Sequence, residues 1–162
     1  MTSLRSGVKM GLMKKLSLYV FLVLMFCNVG RTETYDELEI RAVKKLQSEY
    51  LSCYAFYSIS EGILDPKDES LKYIIEQKDS VLQGAMDIEF SLLALAGEEL
   101  LDDERLFKDK IEPKLEEVFK EIMEQWENDP EKSLVSERNK FCQEILNNSR
   151  PRIEYWIKKL QE

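Results

Sequence analysis

The sequence predicts an all-α protein, a bundle of about four main helices plus a short C-terminal helix, preceded by a signal peptide. The first observation is that apolar residues recur at steps of three and four through most of the chain, which is the spacing of one helix face. The second is that no run of alternating apolar and polar residues suggests a strand. The third is an abrupt change of composition at Glu33, before which the chain contains no Asp or Glu.

Residues 1–30 have the pattern of an export signal. Basic residues precede a short apolar run at residues 16–26, which is typical of a secretory signal and too short for a standard membrane span. We therefore expect a signal peptide at residues 1–30 and a single helical-bundle domain at residues 31–162, located in the periplasm or secreted. In the alternative, residues 16–29 stay uncut and anchor the domain in the inner membrane.

The charge of the mature chain excludes some classes of partner. Cleavage after residue 30 leaves 19 basic and 31 acidic groups, a net charge of −12. Nucleic-acid binding needs a basic face that neutralises phosphates, so it is not expected, and docking on anionic lipid is disfavoured. The charge fits a protein partner, and in particular a basic one.

The cysteines predict a disulfide. Export removes Cys27 and leaves two thiols, Cys53 and Cys142, and an even pair in an oxidising compartment is typically bonded. In the chain-entropy model, closing a loop of this length contributes about 4–5 kcal/mol. The alternative is a thiol redox protein that uses the same two cysteines, although redox motifs more often place them two residues apart.

The first helix is predicted from Thr34 to about Ser60. Thr34 and Glu37 have the spacing of a capping box, and Gly62 is placed to end the helix. The second half of this helix is apolar on most sides, which is typical of a buried helix. We therefore expect it to be the central helix of the bundle, with the others packed around it.

The second helix is predicted to start at Asp65-Pro66, with the aspartate as N-cap and the proline as first helical residue. Its apolar stripe is interrupted by Lys78, whose ammonium we expect to reach solvent along its stem. Gly97 and the acidic residues after it mark the next turn or bend.

The third helix follows this turn and contains Pro113. Because proline cannot donate a backbone hydrogen bond, it either kinks the helix or marks a restart near Glu112, and the sequence leaves both possibilities open. A break follows at residues 128–130. Ser133 is predicted to cap a fourth helix that ends at Asn147-Asn148, and the short last helix is predicted to open at residues 149–151.

The sequence gives little support for a catalytic site or a metal site. The chain has no histidine, which excludes Ser-His-Asp and Cys-His nucleophiles, HExxH zinc sites and Glu-x-x-His di-iron sites. We expect no catalytic residues, no cofactor and no resident metal. The best cation-binding candidate is an acidic cluster, which lacks the ligand spacing of a calcium loop and is more simply a solvated turn. Its members are Glu98, Glu99, Asp102, Asp103 and Glu104.

Aromatic residues gather on the predicted central helix. Tyr50, Tyr54 and Tyr57 could line a ligand groove. At helical spacing such residues more often form core, in which case their hydroxyls need hydrogen-bond partners at its edge.

The segment Cys53-Tyr54-Ala55-Phe56-Tyr57, a second cysteine at Cys142 and the ending from Pro151 to Trp156 resemble a pattern of small exported α-helical proteins of Gram-negative bacteria. The resemblance covers the mature chain loosely. It implies a helical fold and an exported location, and it implies no activity.

Three functions fit the sequence. We favour an exported non-catalytic binding or interaction protein. The second hypothesis is a periplasmic immunity or inhibitor protein against a basic enzyme or toxin, which export and acidity suggest. The third is the thiol redox protein that uses Cys53 and Cys142.

Overall fold

The computed structural model describes residues 37–128 and 133–162, and in this part of the chain every regular element is helical. The predicted signal, the Thr34 cap and the Asp129-Pro130 break lie outside it. The helices are α1 (Glu37–Ile63), α2 (Ser70–Ala96), α3 (Asp103–Leu106), a π-helical turn (Phe107–Ile111), α4 (Glu112–Glu127), α5 (Ser133–Asn147) and α6 (Ser149–Leu160). The all-α prediction is confirmed.

The helices form a bundle of four rods, of which α1 is the central one. The α2 rod runs antiparallel to α1, the rod made of α3, the π turn and α4 runs parallel to it, and α5 and α6 both run antiparallel along it. The contacts that fix these directions are Gln47–Glu89 and Glu61–Lys78 for α2, Gln47–Lys114 and Phe56–Trp126 for α4, and Tyr57–Asn139 and Glu49–Arg152 for α5 and α6.

The core is centred on α1, which packs against α2, α4, α5 and α6. Its second half is buried almost all round, as its apolar composition predicts: Tyr50, Leu51, Cys53, Phe56 and Tyr57 are each at most 7 % exposed. Most of the apolar burial that stabilises the fold therefore involves this helix.

The predicted junction between the first two helices is wrong. Gly62 lies inside α1, which continues to Ile63, and its backbone does not adopt the left-handed conformation of a C-cap glycine. The second helix begins at Ser70 rather than at Pro66. Asp65 accepts a hydrogen bond from the Lys67 amide in a turn, and it is Asp68 that accepts from the Ser70 amide at 2.8 Å.

Lys78 also differs from its prediction. Its ammonium donates to the carboxylate of Glu61 on α1, and its side chain is only 19 % exposed. The interruption in the apolar stripe of α2 is thus a cross-link between the first two helices.

Two further predictions, for Gly97 and Pro113, concern residues that the structure describes. Gly97 ends α2 in the left-handed conformation, with a φ of 68°. Its amide donates to the Ala94 carbonyl, and the Glu98 amide donates to the Leu93 carbonyl. Pro113 lies in the first turn of α4, which restarts at Glu112 after the π turn. The backbone stays helical from residue 103 to residue 127, so the predicted restart near Glu112 takes the form of a change from π to α geometry within one rod.

The short helix α6 is held to α1 by Arg152. Its guanidinium forms a forked ion pair with Glu49 on α1 and lies over the ring of Tyr155, 4.4 Å from the centroid. This contact continues the packing of the fourth rod beyond the break at Asn148.

Candidate functional site

A groove of about 670 Å³ opens between α1, α2 and the start of α4. Its size is within the range of small-molecule sites. Apolar side chains form most of its walls, and polar and charged side chains from all three helices enter it. The apolar residues are Ile40, Leu51, Leu92, Leu93, Leu95, Ala96 and Val118.

A hydrogen-bonded cluster of Gln47, Glu89 and Lys114 lies in this groove. The Lys114 ammonium donates to Glu89 Oε2 at 2.6 Å and to Gln47 Oε1 at 3.0 Å. The Gln47 amide nitrogen donates to Glu89 Oε2 at 2.7 Å and to the Ala85 carbonyl at 3.1 Å. We call these three side chains the polar cluster.

Two of the three side chains of the polar cluster are buried. Gln47 and Glu89 are 3 % and 7 % exposed, whereas the side chain of Lys114 remains 43 % exposed and faces the groove. A buried carboxylate requires compensation by hydrogen bonds and an opposite charge, which Gln47 and Lys114 supply. Because Lys114 uses two of its three donors within the cluster, the groove retains a positively charged donor.

Further charges lie at the edges of the groove. Lys110 belongs to the π turn, a type of distortion that is frequent at functional sites, and its ammonium is 3.4 Å from Glu98. Lys44 on α1 and Glu117 on α4 also line the groove and are exposed.

The polar cluster is not evident from the sequence pattern. Its members are far apart in the chain, and each belongs to a helix in which polar residues are numerous. The sequence signal that could have revealed it is the presence of polar residues beside the apolar stripes of the helices. Glu89 directly follows Ile88 in the stripe of α2, and Gln47 directly follows Leu46 in the stripe of α1.

The three tyrosines named from the sequence are not among the residues that line this groove. Tyr50 and Tyr57 are buried, and Tyr54 is half-buried with its ring edge-on to Phe119 at 6.2 Å. Their role in ligand binding therefore stays a prediction.

The pKa values of both buried tyrosine hydroxyls are raised. Burial, together with the negative charge of Asp87, raises the pKa of Tyr50 to about 12, and its hydroxyl is 3.5 Å from the Ile145 carbonyl. Burial also raises the pKa of Tyr57, whose hydroxyl donates to Asn139 at 3.0 Å and accepts from Gln143 at 3.2 Å. These contacts connect the core of α1 to α5.

The predicted disulfide between Cys53 and Cys142 is present and joins α1 to α5. Both cysteines are 0 % exposed. A thiolate from solvent therefore has no direct access to either sulfur in the folded chain.

The acidic cluster is spread over several local contacts. Glu98 pairs with Lys110, Glu99 lies 3.8 Å from Arg105, and Asp102 accepts a hydrogen bond from the Arg105 amide as the N-cap of α3. Within residues 37–128 and 133–162, no group of three or more potential ligands is arranged to hold a metal ion. No helix in this part of the chain is long and apolar enough to span a bilayer.

The fold and the groove together define a disulfide-bonded helical bundle with a mixed apolar and charged binding surface. Comparison of the sequence with protein-family models, with curated proteins and with solved structures gives no match.

Proposed function

We propose that the protein is an exported, non-catalytic binding protein whose ligand occupies the groove between α1, α2 and α4. The observation that carries the proposal is the polar cluster in the apolar groove. Burial of the Glu89 carboxylate costs desolvation free energy that offsets much of its attraction to the partly exposed Lys114, so this pair contributes little net stability. Its position in an open groove is better explained by recognition of a ligand than by stabilisation of the bundle.

Two further observations support this proposal. The sequence has no histidine, and the buried carboxylate in the groove is already engaged by Gln47 and Lys114, which favours binding over acid–base catalysis. The fully buried Cys53–Cys142 disulfide supports an oxidising, exported location. Its burial also favours a structural role over the thiol redox hypothesis.

The experiment places a bulky side chain in the groove. Ala96 is exposed at the end of α2 and lines the groove, whereas Ala94 is exposed on the same helix and does not line it. The probe is N-phenylnaphthylamine, an uncharged apolar dye that fluoresces when it leaves water. We expect saturable binding to the wild type and to Ala94→Trp, and binding at least about tenfold weaker to Ala96→Trp. Equal binding by both variants, or no saturable binding by the wild type, would contradict the proposal.

A second candidate function is inhibition of a basic protein, which the outer face of α4 favours. All six glutamates of this helix are exposed, and Lys120 is the exposed lysine among them. They are Glu112, Glu116, Glu117, Glu121, Glu124 and Glu127. Glu117 lines the groove, and the other five do not. Such a concentration of like charges attracts a cationic partner and accelerates its association.

Charge reversal tests this second candidate. Glu116→Lys/Glu121→Lys changes the acidic face, and Glu69→Lys/Asp79→Lys makes the same net change at exposed positions outside α4. With a cationic cell-wall hydrolase as probe, we expect the first pair to abolish inhibition and the control pair to retain it. Inhibition that survives the reversal on α4, or that does not weaken with salt, rejects this function.

A further inference from the structure

We propose that the ligand of the groove is a single-chain amphiphile with a carboxylate head, a molecule of the fatty-acid class. The inference rests on the proposed function, because it specifies what the groove binds. It is argued from the distribution of charge around the groove and from the composition of its walls.

Three lysines, Lys44, Lys110 and Lys114, line the groove, and their sequence positions place them on neighbouring turns of α1, the π turn and α4. Lys110 and Lys114 are four residues apart across the start of α4, and Lys114 bonds to Gln47, which is three residues after Lys44 on α1. Lys44 is exposed and has no ion-pair partner among the residues that the structure describes. The groove therefore supplies several cationic donors to one head group.

The carboxylates that line the groove compete only in part for these lysines. Glu89 is neutralised within the polar cluster, and Glu98 makes a long contact with Lys110 in which both side chains are more than a third exposed. Such an exposed pair is weak, so Lys110 can turn towards a ligand. The nearby Glu89 and the exposed Glu117 nevertheless limit the negative charge that the groove can accept. A monoanion such as a carboxylate fits this balance better than a phosphate dianion.

The walls of the groove suit an alkyl chain. Leucine side chains of α2 line it together with Leu51 of α1 and Val118 of α4. Each methylene that moves from water into such a groove contributes about 0.8 kcal/mol. The lysines then hold the head group near the polar cluster, while the chain lies against the apolar walls.

The test compares three amphiphiles that have the same alkyl chain and differ in head charge: laurate, dodecanol and dodecyltrimethylammonium. Binding to the oxidised full chain is measured by isothermal titration calorimetry below the critical micelle concentrations. We expect laurate to bind at least about tenfold tighter than the other two, which corresponds to one good charge-assisted hydrogen bond. The Lys44→Gln/Lys110→Gln variant should lose about tenfold in laurate affinity and keep its dodecanol affinity.

Lys108→Gln/Lys120→Gln is the matched control, since both lysines are exposed near α4 and neither lines the groove. It should bind laurate as the wild type does. Dodecanol or the cationic amphiphile binding as tightly as laurate, or the two double variants behaving alike, would overturn the inference while leaving the groove as a binding site. Laurate that binds Ala96→Trp as tightly as the wild type would instead overturn the proposed function.

Discussion

At Gly84, the absence of a side chain lets α2 approach the ring of Tyr50. A Cβ atom at this position would lie 2.8 Å from Tyr50 Cε1, closer than real contacts allow, and the buried ring cannot easily move. We expect Gly84→Ala to destabilise the fold by about 1–3 kcal/mol in spite of the higher helix propensity of alanine. The change is measured as the free energy of unfolding in urea.

Gly62 is the matched control for this prediction. It also lies inside a helix, and a Cβ there has no neighbour within 4 Å. Gly62→Ala should stabilise the protein by about 0.5–1 kcal/mol, because alanine restricts the unfolded chain. If the two variants changed stability in the same direction and by the same amount, the close contact at Gly84 would not be important.

The buried hydroxyl of Tyr50 predicts alkaline sensitivity. Its pKa is raised from the ordinary value of 10.0 to about 12 in the folded chain, so the unfolded chain loses this proton first. The contribution to stability is thus fully present below pH 10.0 and is lost as the pH rises towards 12. The expected loss is about 2–3 kcal/mol, measured by urea unfolding across this range.

The Tyr50→Phe variant should show a smaller decline, because it has no hydroxyl to ionise. The decline that remains comes in part from Tyr57, whose pKa burial also raises. Tyr155→Phe removes an exposed hydroxyl and should follow the wild type. An alkaline decline in Tyr50→Phe as steep as that of the wild type would show that another group controls it.

Among the elements, α3 depends on its N-cap. The Asp102 carboxylate accepts from the Arg105 amide at 2.9 Å, and it thereby satisfies one of the first amides of the rod that continues into α4. We expect Asp102→Ala to cost about 0.5–2 kcal/mol in urea unfolding. Glu99→Ala, which removes another acid of the same cluster, should stay within about 0.5 kcal/mol. Equal losses in both variants would argue against a specific cap.

How far the sequence predicts these elements depends on the range of the interactions involved. The helices and the break at Gly97 follow from local periodicity and backbone conformation, which a single segment contains. The α1–α2 junction was mispredicted because two aspartates, Asp65 and Asp68, compete for the same capping role within four residues. The spacing of residues alone does not decide between them.

Less of the candidate site than of the fold could be predicted from the sequence. The disulfide could be predicted from the number of cysteines, because removal of the predicted signal would leave one possible pair. The polar cluster needs three helices at once, and its residues lie up to 67 positions apart, so helical periodicity cannot bring them together. Tyr50 and Tyr57, by contrast, are buried because they belong to a face whose burial the sequence does indicate.

On the scale of the whole molecule, α1 contacts the other rods through different kinds of interaction at different positions along its length. Near its N-terminal half it forms the groove with α2 and α4, and Arg152 holds α6 through Glu49. Further along it is joined to α5 by the disulfide and by the hydrogen bonds of Tyr57. The groove and the disulfide therefore share the central helix but involve different partner helices, α2 and α4 for the groove and α5 for the disulfide. A substitution in the partner helices of one feature therefore does not directly contact the other feature.

The disulfide is expected to contribute a large share of the total stability. Its loop spans 89 positions, for which the chain-entropy model gives about 4–5 kcal/mol, while engineered cases often deliver less. We expect Cys53→Ala/Cys142→Ala to lose about 2–5 kcal/mol in urea unfolding. Hydrogen exchange should increase most in α5, which loses its covalent connection to α1.

The reduced wild-type chain separates the two consequences of this substitution. It lacks the cross-link but keeps both sulfur atoms in the core, whereas the alanine variant also leaves cavities in place of them. If the cross-link dominates, the reduced chain and the variant should lose similar amounts of stability. If the reduced chain were as stable as the oxidised one, packing of the sulfurs would account for the whole effect of the substitution. The bond would then contribute no net stability to the bundle.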